Sequence, residues 1–157
     1  MKAKHIIKIS KEIDIDVTGI KLLSIEEYEQ YKKHIPHVHF SYWLRSHGDN
    51  ERVVFTVSED NERGYGEEFV NTICNVRPVL IISNLKLFKM VPGEEFEFAD
   101  HIWTVVSDDM AICNTSIAQH CYNKKLYKHN TNDYETSDIK GFIEEWLENI
   151  KRDNPCY

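Results

Sequence analysis

Two arginines are the residues whose type and position most directly suggest a chemical role. Arg45 follows three apolar or aromatic residues at 42–44, and Arg77 lies inside the apolar run 76–82. A guanidinium within an apolar strand must be paired, since an unpaired buried charge is very costly. We therefore predict that Arg45 and Arg77 are buried structural ions, each holding carboxylates or loop carbonyls with its fork of donors. The alternative is an anion-binding site made of both arginines.

Four histidines form a second candidate site. His34, His37 and His39 follow an H-x-x-H-x-H spacing, and His47 lies beyond them. Three imidazoles can ligate zinc or another transition metal, and His37 and His39 would point the same way if they share a strand. No cysteine or carboxylate at a typical spacing completes the set. The default interpretation is solvated loop histidines, and the alternative is a metal-binding protein or small enzyme that uses these four residues.

Thiol chemistry is a third candidate, because Cys113 and the pair His120 and Cys121 place thiols near a base. No oxyanion-hole pattern accompanies them, so we expect buried, inert cysteines. The nucleotide-binding, serine-hydrolase and zinc-protease motifs are absent, and so are the calcium- and sugar-binding motifs of lectins. The sequence therefore predicts neither a cofactor nor an enzymatic activity.

Most of the net negative charge lies in the segment from residue 47 to residue 75. Seven acids less two arginines leave it five excess negative charges, against −7 for the whole chain. One interpretation is a solvated sheet face, and the other is a surface that steers a basic protein partner. On the second interpretation the partner-binding residues are Asp49, Glu51, Glu59, Asp60, Glu62, Tyr65, Glu67 and Glu68.

The elements that carry these residues are short strands and one early helix. Alternating or β-branched residues predict strands at 5–9, 13–17, 40–44, 52–57, 76–82 and 95–98, and a hairpin at 101–106 and 110–113. Pro78 indicates an edge strand or a strand that starts just after it. Ser24 and Glu27 fit a capping box for a helix that ends near Lys33, before Pro36.

A second helix at the end of the chain is the clearest element. Ser137 suits its N-cap, and its apolar residues recur at helical spacing as Ile139, Phe142, Ile143, Trp146, Leu147 and Ile150. We expect this stripe to pack on a sheet, and a partner-binding face is the alternative. Together the elements predict an α+β fold with a mixed or antiparallel sheet and two main helices.

Two motifs resemble the signature of a family of bacterial and phage domains of unknown function. The family has W-L-R-S-P-G and, after a variable stretch, V-R-P-A-L; here residues 43–46 are W-L-R-S and residues 76–80 are V-R-P-V-L. Segments 22–28, 95–106 and 137–147 are similar to other parts of that family. His47 stands in place of the proline, and the two halves follow in rotated order, which implies a circularly permuted member. The resemblance implies a C-type-lectin-like fold related to the formylglycine-generating-enzyme domain.

Length and composition indicate one domain over residues 1–157, although an internal division near Pro92-Gly93 is the alternative. The chain is 41% hydrophobic, which is enough for one core, and neither side of that turn would make a comfortable core alone. The apolar run after the first residues is too short for a signal peptide or a membrane span. We therefore expect a cytoplasmic protein that does not bind membranes.

The predicted function is non-enzymatic protein binding. The net charge of −7, with no run of Lys or Arg, disfavours direct binding to nucleic acid but suits a basic protein partner. With the family resemblance, this predicts an accessory protein of phage or mobile-element origin. A sharper version is an inhibitor that occupies the basic groove of a nucleic-acid-binding host protein; the sequence leaves the oligomeric state open.

Overall fold

Two β-sheets and two α-helices make up the fold in the computed structural model, which describes residues 1–5, 11–58, 64–125 and 131–153. The helices in these ranges are α1 Ile25–Tyr31 and α2 Asp138–Asp153, with 3-10 helices at Lys32–His34, Leu85–Phe88 and Tyr134–Thr136. The strands are β1 Lys2–His5, β2 Lys11–Asp14, β3 Val17–Lys21, β4 Tyr42–His47, β5 Val53–Val57, β6 Tyr65–Phe69, β7 Ile73–Val76, β8 Val79–Ile82, β9 Glu95–Phe98, β10 His101–Val105, β11 Met110–Cys113 and β12 Ala118–Cys121. The predicted α+β class is confirmed.

One sheet is antiparallel and the other is mixed. The larger sheet has the strand order β2-β1-β9-β10-β11-β8-β3, and all its neighbours are antiparallel. The smaller sheet has the order β12-β7-β4-β5-β6, in which only β4 and β7 run parallel among the described strands. The strands predicted at 52–57 and 95–98 correspond to β5 and β9, and the predicted hairpin is β10 and β11.

The prediction of a single strand at 76–82 is wrong, because the chain changes sheets within it. β7 ends at Val76 in the smaller sheet, and β8 starts at Val79 in the larger sheet. Pro78 has no N–H to donate to a ladder, while its carbonyl accepts a hydrogen bond from Cys113 N at 3.0 Å. The prediction that a strand starts just after Pro78 is confirmed.

Two other predicted strands differ from the structure. The strand predicted at 13–17 is divided, because β2 ends at Asp14 and β3 starts at Val17. Between them, Ile15 N donates to Met1 O at 2.7 Å, so the bend between β2 and β3 is held to Met1. The strand predicted at 5–9 shares His5 with β1, and its residues 6–9 lie outside the described residues.

The first helix follows the capping box predicted for it. The Ser24 side-chain oxygen accepts from Glu27 N at 3.1 Å, and a Glu27 carboxylate oxygen accepts from Ser24 N at 2.9 Å. These bonds satisfy N–H groups that have no partner within the first turn. After α1, one 3-10 turn ends at His34, and the chain leaves the helix before Pro36.

The second helix packs its apolar stripe on the sheets, as expected. Ile139, Ile143 and Leu147 are buried, and α2 contacts β3 and β12. Trp146 is half-buried, with its ring centroid 6.2 Å from that of Trp103. Among the described residues, no helix has the length and apolar character needed to cross a membrane.

Three central strands are buried on both faces and contribute to two adjoining core clusters. In β4, Trp43 belongs to one cluster while its neighbour Leu44 belongs to the other. The same alternation occurs in β8, with Leu80 and Val79, and in β11. Successive side chains of a strand point to opposite faces, so these strands hold the two clusters together.

We predict that α2 depends on this burial rather than on its own helix propensity. Ile143 has no exposed surface, so Ile143→Ala should lower the free energy of unfolding by about 2–5 kcal/mol. The control is Glu145→Ala on the exposed face of the same helix, which should change it by no more than about 0.5 kcal/mol. Urea unfolding measures both, and equal effects would show that α2 is not seated on the core.

Candidate functional site

The strand β6, at one end of the smaller sheet, carries most of the described candidates for partner binding. Among the described strands, β6 pairs with β5 on one side and with none on the other. Glu67, Glu68 and Phe69 are exposed, and the Phe69 side chain is 52% exposed. An edge strand presents N–H and C=O groups along its free side, so β6 offers both backbone and side-chain contacts.

The turn between β4 and β5 adds two more carboxylates beside β6. Asp49 and Glu51 are both exposed there. Asp49 N donates to a Glu67 carboxylate oxygen at 3.2 Å, and Glu51 lines the same shallow recess as Phe69. We call these four acids, Asp49, Glu51, Glu67 and Glu68, together with Phe69, the acidic edge.

A glycine and the segment 131–132 hold this turn in place. A side chain at Gly48 would bring its Cβ to 2.7 Å from Val53 Cγ2, so any other residue here would force the turn or the buried Val53 side chain to shift. The Asn132 amide donates to Asn50 O at 2.8 Å and to Val53 O at 3.2 Å. The turn therefore presents its acids from a fixed backbone.

The other candidates of the acidic segment differ in placement. Tyr65 is half-buried at the start of β6, and its ring contacts that of Phe55 edge-on with centroids 5.7 Å apart. Tyr65 thus packs within the sheet and contributes less to the free surface than the glutamates. Glu59, Asp60 and Glu62 lie outside the described residues.

Arg45 is paired, but it is not the fully buried ion that the sequence predicts. Its Nη2 lies 2.8 Å from a Glu27 carboxylate oxygen, and the other oxygen of Glu27 accepts from Lys21 Nζ at 2.8 Å. The Arg45 side chain is 27% exposed, because it reaches from β4 across to the beginning of α1. Its loss should therefore cost less than the loss of a fully buried ion pair.

Arg77 is buried and holds loop carbonyls, which is one of the two kinds of partner predicted for it. The residue is 1% exposed; Nε donates to Cys113 O at 2.6 Å and Nη2 donates to Pro36 O at 2.8 Å. Its guanidinium carbon lies 5.0 Å from the centre of the Tyr42 ring. The two arginines share no described partner, and the anion-binding site made of both stays a prediction.

Of the four candidate histidines, His47 alone lies in a strand. His34 ends the 3-10 turn after α1, His37 and His39 lie in the irregular segment before β4, and His47 ends β4. The rings of His37 and His39 meet edge-on with centroids 5.1 Å apart. Within the described parts of the chain, no three His, Cys, Asp or Glu side chains are placed to hold a metal ion. His37 and His39 do not share a strand, because β4 starts only at Tyr42, so the alternation that would direct both rings to one face does not apply.

Cys74 and Cys113 are buried, which disfavours the thiolate form that a nucleophile requires. Cys113 is fully buried, and burial raises the pKa of its thiol. Burial, with the charge of Glu68, raises the pKa of Cys74 to about 11. His120 stacks on Phe142, with ring centroids 4.6 Å apart, and its Nδ1 lies 2.6 Å from the carbonyl oxygen of Cys121 rather than from a thiol.

Comparison with protein-family models, with curated proteins and with solved structures finds no match to this chain. The resemblance to the W-L-R-S-P-G family and the C-type-lectin-like fold it implies therefore stay predictions. The site rests on the geometry of the chain itself.

Sequence analysis did not identify two residues of the site, Phe69 on the edge strand and Asn132, whose amide holds the turn. An aromatic residue that closes an acidic strand is a signal for the first, but no local pattern indicates the second.

We predict that Glu27 makes stability depend on pH in acid. Burial alone would raise its pKa, but the Lys21 hydrogen bond, the Ser24 N–H and the charge of Arg45 together lower the pKa from its ordinary value of 4.5. Because the pKa is lower in the folded than in the unfolded protein, the stabilisation is fully present above the unfolded pKa. It is lost as the pH falls through the folded pKa. Glu27→Gln should therefore lower the free energy of unfolding near neutral pH and flatten its fall in acid.

Urea titrations across the acid range measure this effect. Glu26→Gln is the matched control, since Glu26 is the exposed acid next to Glu27 in the first turn of α1. The control should keep the pH dependence of the wild type. A Glu27→Gln variant with an unchanged slope would show that the ion pairs with Lys21 and Arg45 do not stabilise the fold.

We also predict that Cys74 and Cys113 react slowly with iodoacetamide in the folded protein, since only the thiolate reacts and burial keeps both thiols protonated. Cys121, which is half-buried, should react faster. Peptide mapping after brief alkylation near pH 8, with and without urea, measures the difference. A Cys113 that reacts as fast when folded as in urea would instead indicate an activated thiol.

Proposed function

We propose that this protein binds a partner protein by accepting a basic, extended segment of the partner along β6. The observation that carries the proposal is an open sheet edge whose exposed side chains are acidic or aromatic. Extended peptides add to such edges through backbone hydrogen bonds, which give affinity, while alternate side chains give specificity. The proposal is for binding without catalysis.

The backbone of β6 is available because one side of it has no described strand partner. The register of β6 against β5 is regular from Tyr65, opposite Val57, to Phe69, opposite Val53. A register without a shift means that no bulge twists this edge away from a further strand. The helix α2, in contrast, packs against β3 and β12, the outer strands at one end of each sheet.

The charges of the acidic edge select the partner. Asp49, Glu51, Glu67 and Glu68 supply four carboxylates, and Arg52 is a cation that lies among them in the recess beside Phe69. An excess of exposed negative charge raises the rate at which a cationic segment arrives and disfavours acidic competitors. The exposed ring of Phe69 offers an apolar anchor within the same surface, and aromatic anchors contribute strongly to interfaces.

The kind of partner follows from this chemistry. Basic extended segments are common in proteins that bind nucleic acid, because their own ligands are polyanions. We propose such a protein as the target, and inhibition by occupation of its basic surface as the outcome. A phage or mobile-element setting is part of the proposal, and its support is the family resemblance of the sequence.

The test uses a synthetic ten-residue peptide that alternates Lys with Val or Thr, titrated into the nitrogen-15-labelled protein. We expect shifts of the amide signals of β6 and of the turn at 48–52, with affinity that falls as salt rises. The same peptide N-methylated at alternate residues keeps its charge but cannot form the ladder, and it should bind at least about tenfold more weakly.

Two double variants distinguish an effect of the acidic edge on binding from an effect of net charge. Glu67→Gln with Glu68→Gln should weaken peptide binding about three- to tenfold at low salt. The matched control is Glu144→Gln with Glu148→Gln on the exposed face of α2, which removes the same charge and should leave binding nearly unchanged. Equal losses in the two double variants, or equal binding of the N-methylated peptide, would contradict the proposal.

A further inference from the structure

A second recess, which we call the Arg77 pocket, lies between the residues that follow α1 and the strands β4 and β5. Its volume is about 350 Å³, within the range of small-molecule sites. Lys32 and Arg77 supply cationic groups to its lining. Much of the remaining wall is apolar or aromatic, formed by Ile35, Val38, Phe40, Tyr42 and Val57.

The guanidinium of Arg77 is incompletely satisfied. Nε and Nη2 donate to the carbonyls of Cys113 and Pro36, but Nη1 is buried and has no hydrogen-bond partner among the described residues. A buried donor without a partner costs free energy, and a charged donor costs more than a neutral one. This unpaired atom belongs to a side chain that forms part of the pocket wall.

The positive charge of Arg77 also has no carboxylate partner among the described residues. Its hydrogen-bond partners are neutral carbonyls, and the nearby Tyr42 ring is neutral as well. No described carboxylate forms an ion pair with Arg77, even though acids outnumber basic residues in the chain, 26 Asp and Glu to 19 Lys and Arg. A buried guanidinium normally has an anionic partner.

The described lining of the pocket has donors but no acid. Besides the two cations, it includes the phenol groups of Tyr28 and Tyr42. Burial raises the pKa of Tyr28, and burial raises the pKa of Tyr42 to about 12, so both phenols keep the proton that they can donate. Donors around an apolar cavity suit an anion that carries an apolar body.

We propose that the Arg77 pocket binds a small carboxylate with an apolar body. The carboxylate accepts a hydrogen bond from Arg77 Nη1 and so supplies the anionic partner that the buried guanidinium lacks. The apolar body packs against the aromatic wall at Phe40 and Tyr42, and Lys32 contributes a second cation. This site is separate from the acidic edge, and the inference does not depend on protein binding there.

A carboxylate fits better than a phosphate for two reasons. The unused N–H groups of Arg77 lie in one plane, which matches the planar carboxylate. A phosphate dianion has more acceptor oxygens than a carboxylate, and its second charge would have to be balanced by Lys32 in addition to Arg77. The Lys32 side chain is 56% exposed and its ammonium already lies 2.9 Å from a Glu29 carboxylate oxygen, so its contribution is screened.

The experiment titrates defined probes into the labelled full-length protein and follows the Nε–H signal of Arg77 by NMR. The probes are phenylacetate and its neutral amide, N-acetylphenylalanine and its amide, and inorganic phosphate. We expect saturable shifts with a carboxylate and at least about tenfold weaker binding of the matching amide. The tighter of the two acids shows whether the source is a free small molecule or the carboxyl terminus of a peptide.

Two neighbouring lysines give a matched pair of variants. Lys32 lines the pocket and Lys33 does not, yet both are exposed and both changes remove one charge. Lys32→Gln should weaken binding about two- to threefold, and Lys33→Gln should leave it unchanged. Arg77→Gln should abolish binding; if that variant does not fold, Tyr28→Phe takes its place and should weaken binding by losing one donor.

Several results would overturn the proposal. Equal binding of an acid and its amide would show that charge is not recognised. Binding of phosphate alone, or no binding of any probe up to about 10 mM, would also exclude a carboxylate site. So would equal effects of Lys32→Gln and Lys33→Gln, because the response would then follow net charge rather than the pocket.

Discussion

The guanidinium of Arg77 joins three parts of the molecule that are distant in sequence. Its bond to Cys113 O fixes the end of β11, its bond to Pro36 O fixes the loop after α1, and its face lies against the ring of Tyr42 in β4. Arg77 also stands where the chain passes from β7 in the smaller sheet to β8 in the larger sheet. A planar fork of donors can hold two carbonyls in fixed directions at once, which the compact ammonium of a lysine cannot do.

The passage between sheets decides which surfaces remain free. β4, β8 and β11 have neighbours on both sides, so these central strands offer no open edge to a partner strand. Each outer strand is paired on one side alone among the described strands, and α2 packs against two of them, β3 and β12. The acidic edge therefore follows from the topology as much as from its own residues. If β6 were a central strand, its backbone groups would be paired on both sides.

Local signals in the sequence predicted the elements, but not how they are assembled. The capping box of Ser24 and Glu27, the stripe of α2 and the hairpin of β10 and β11 depend on contacts a few residues apart, and the structure confirms them. The change of sheet at Pro78 depends on partners over thirty residues away, such as Cys113, which no local pattern reveals. The acids of the edge could be found from charge alone, whereas the free side of β6 and the pocket at Arg77 required the tertiary structure.

The two proposed sites use charge under opposite physical conditions. On the acidic edge, the exposed carboxylates of Glu67 and Glu68 are solvated, so they cost little to place and contribute little to stability, and their effect on a partner weakens with salt. Arg77 is withdrawn from water, so its charge is costly to hold and is screened far less. Removing exposed acids can therefore change binding without changing the fold. Arg77 cannot be removed without freeing the carbonyls of Pro36 and Cys113, so at this residue any role in binding is tied to the stability of the junction between the sheets.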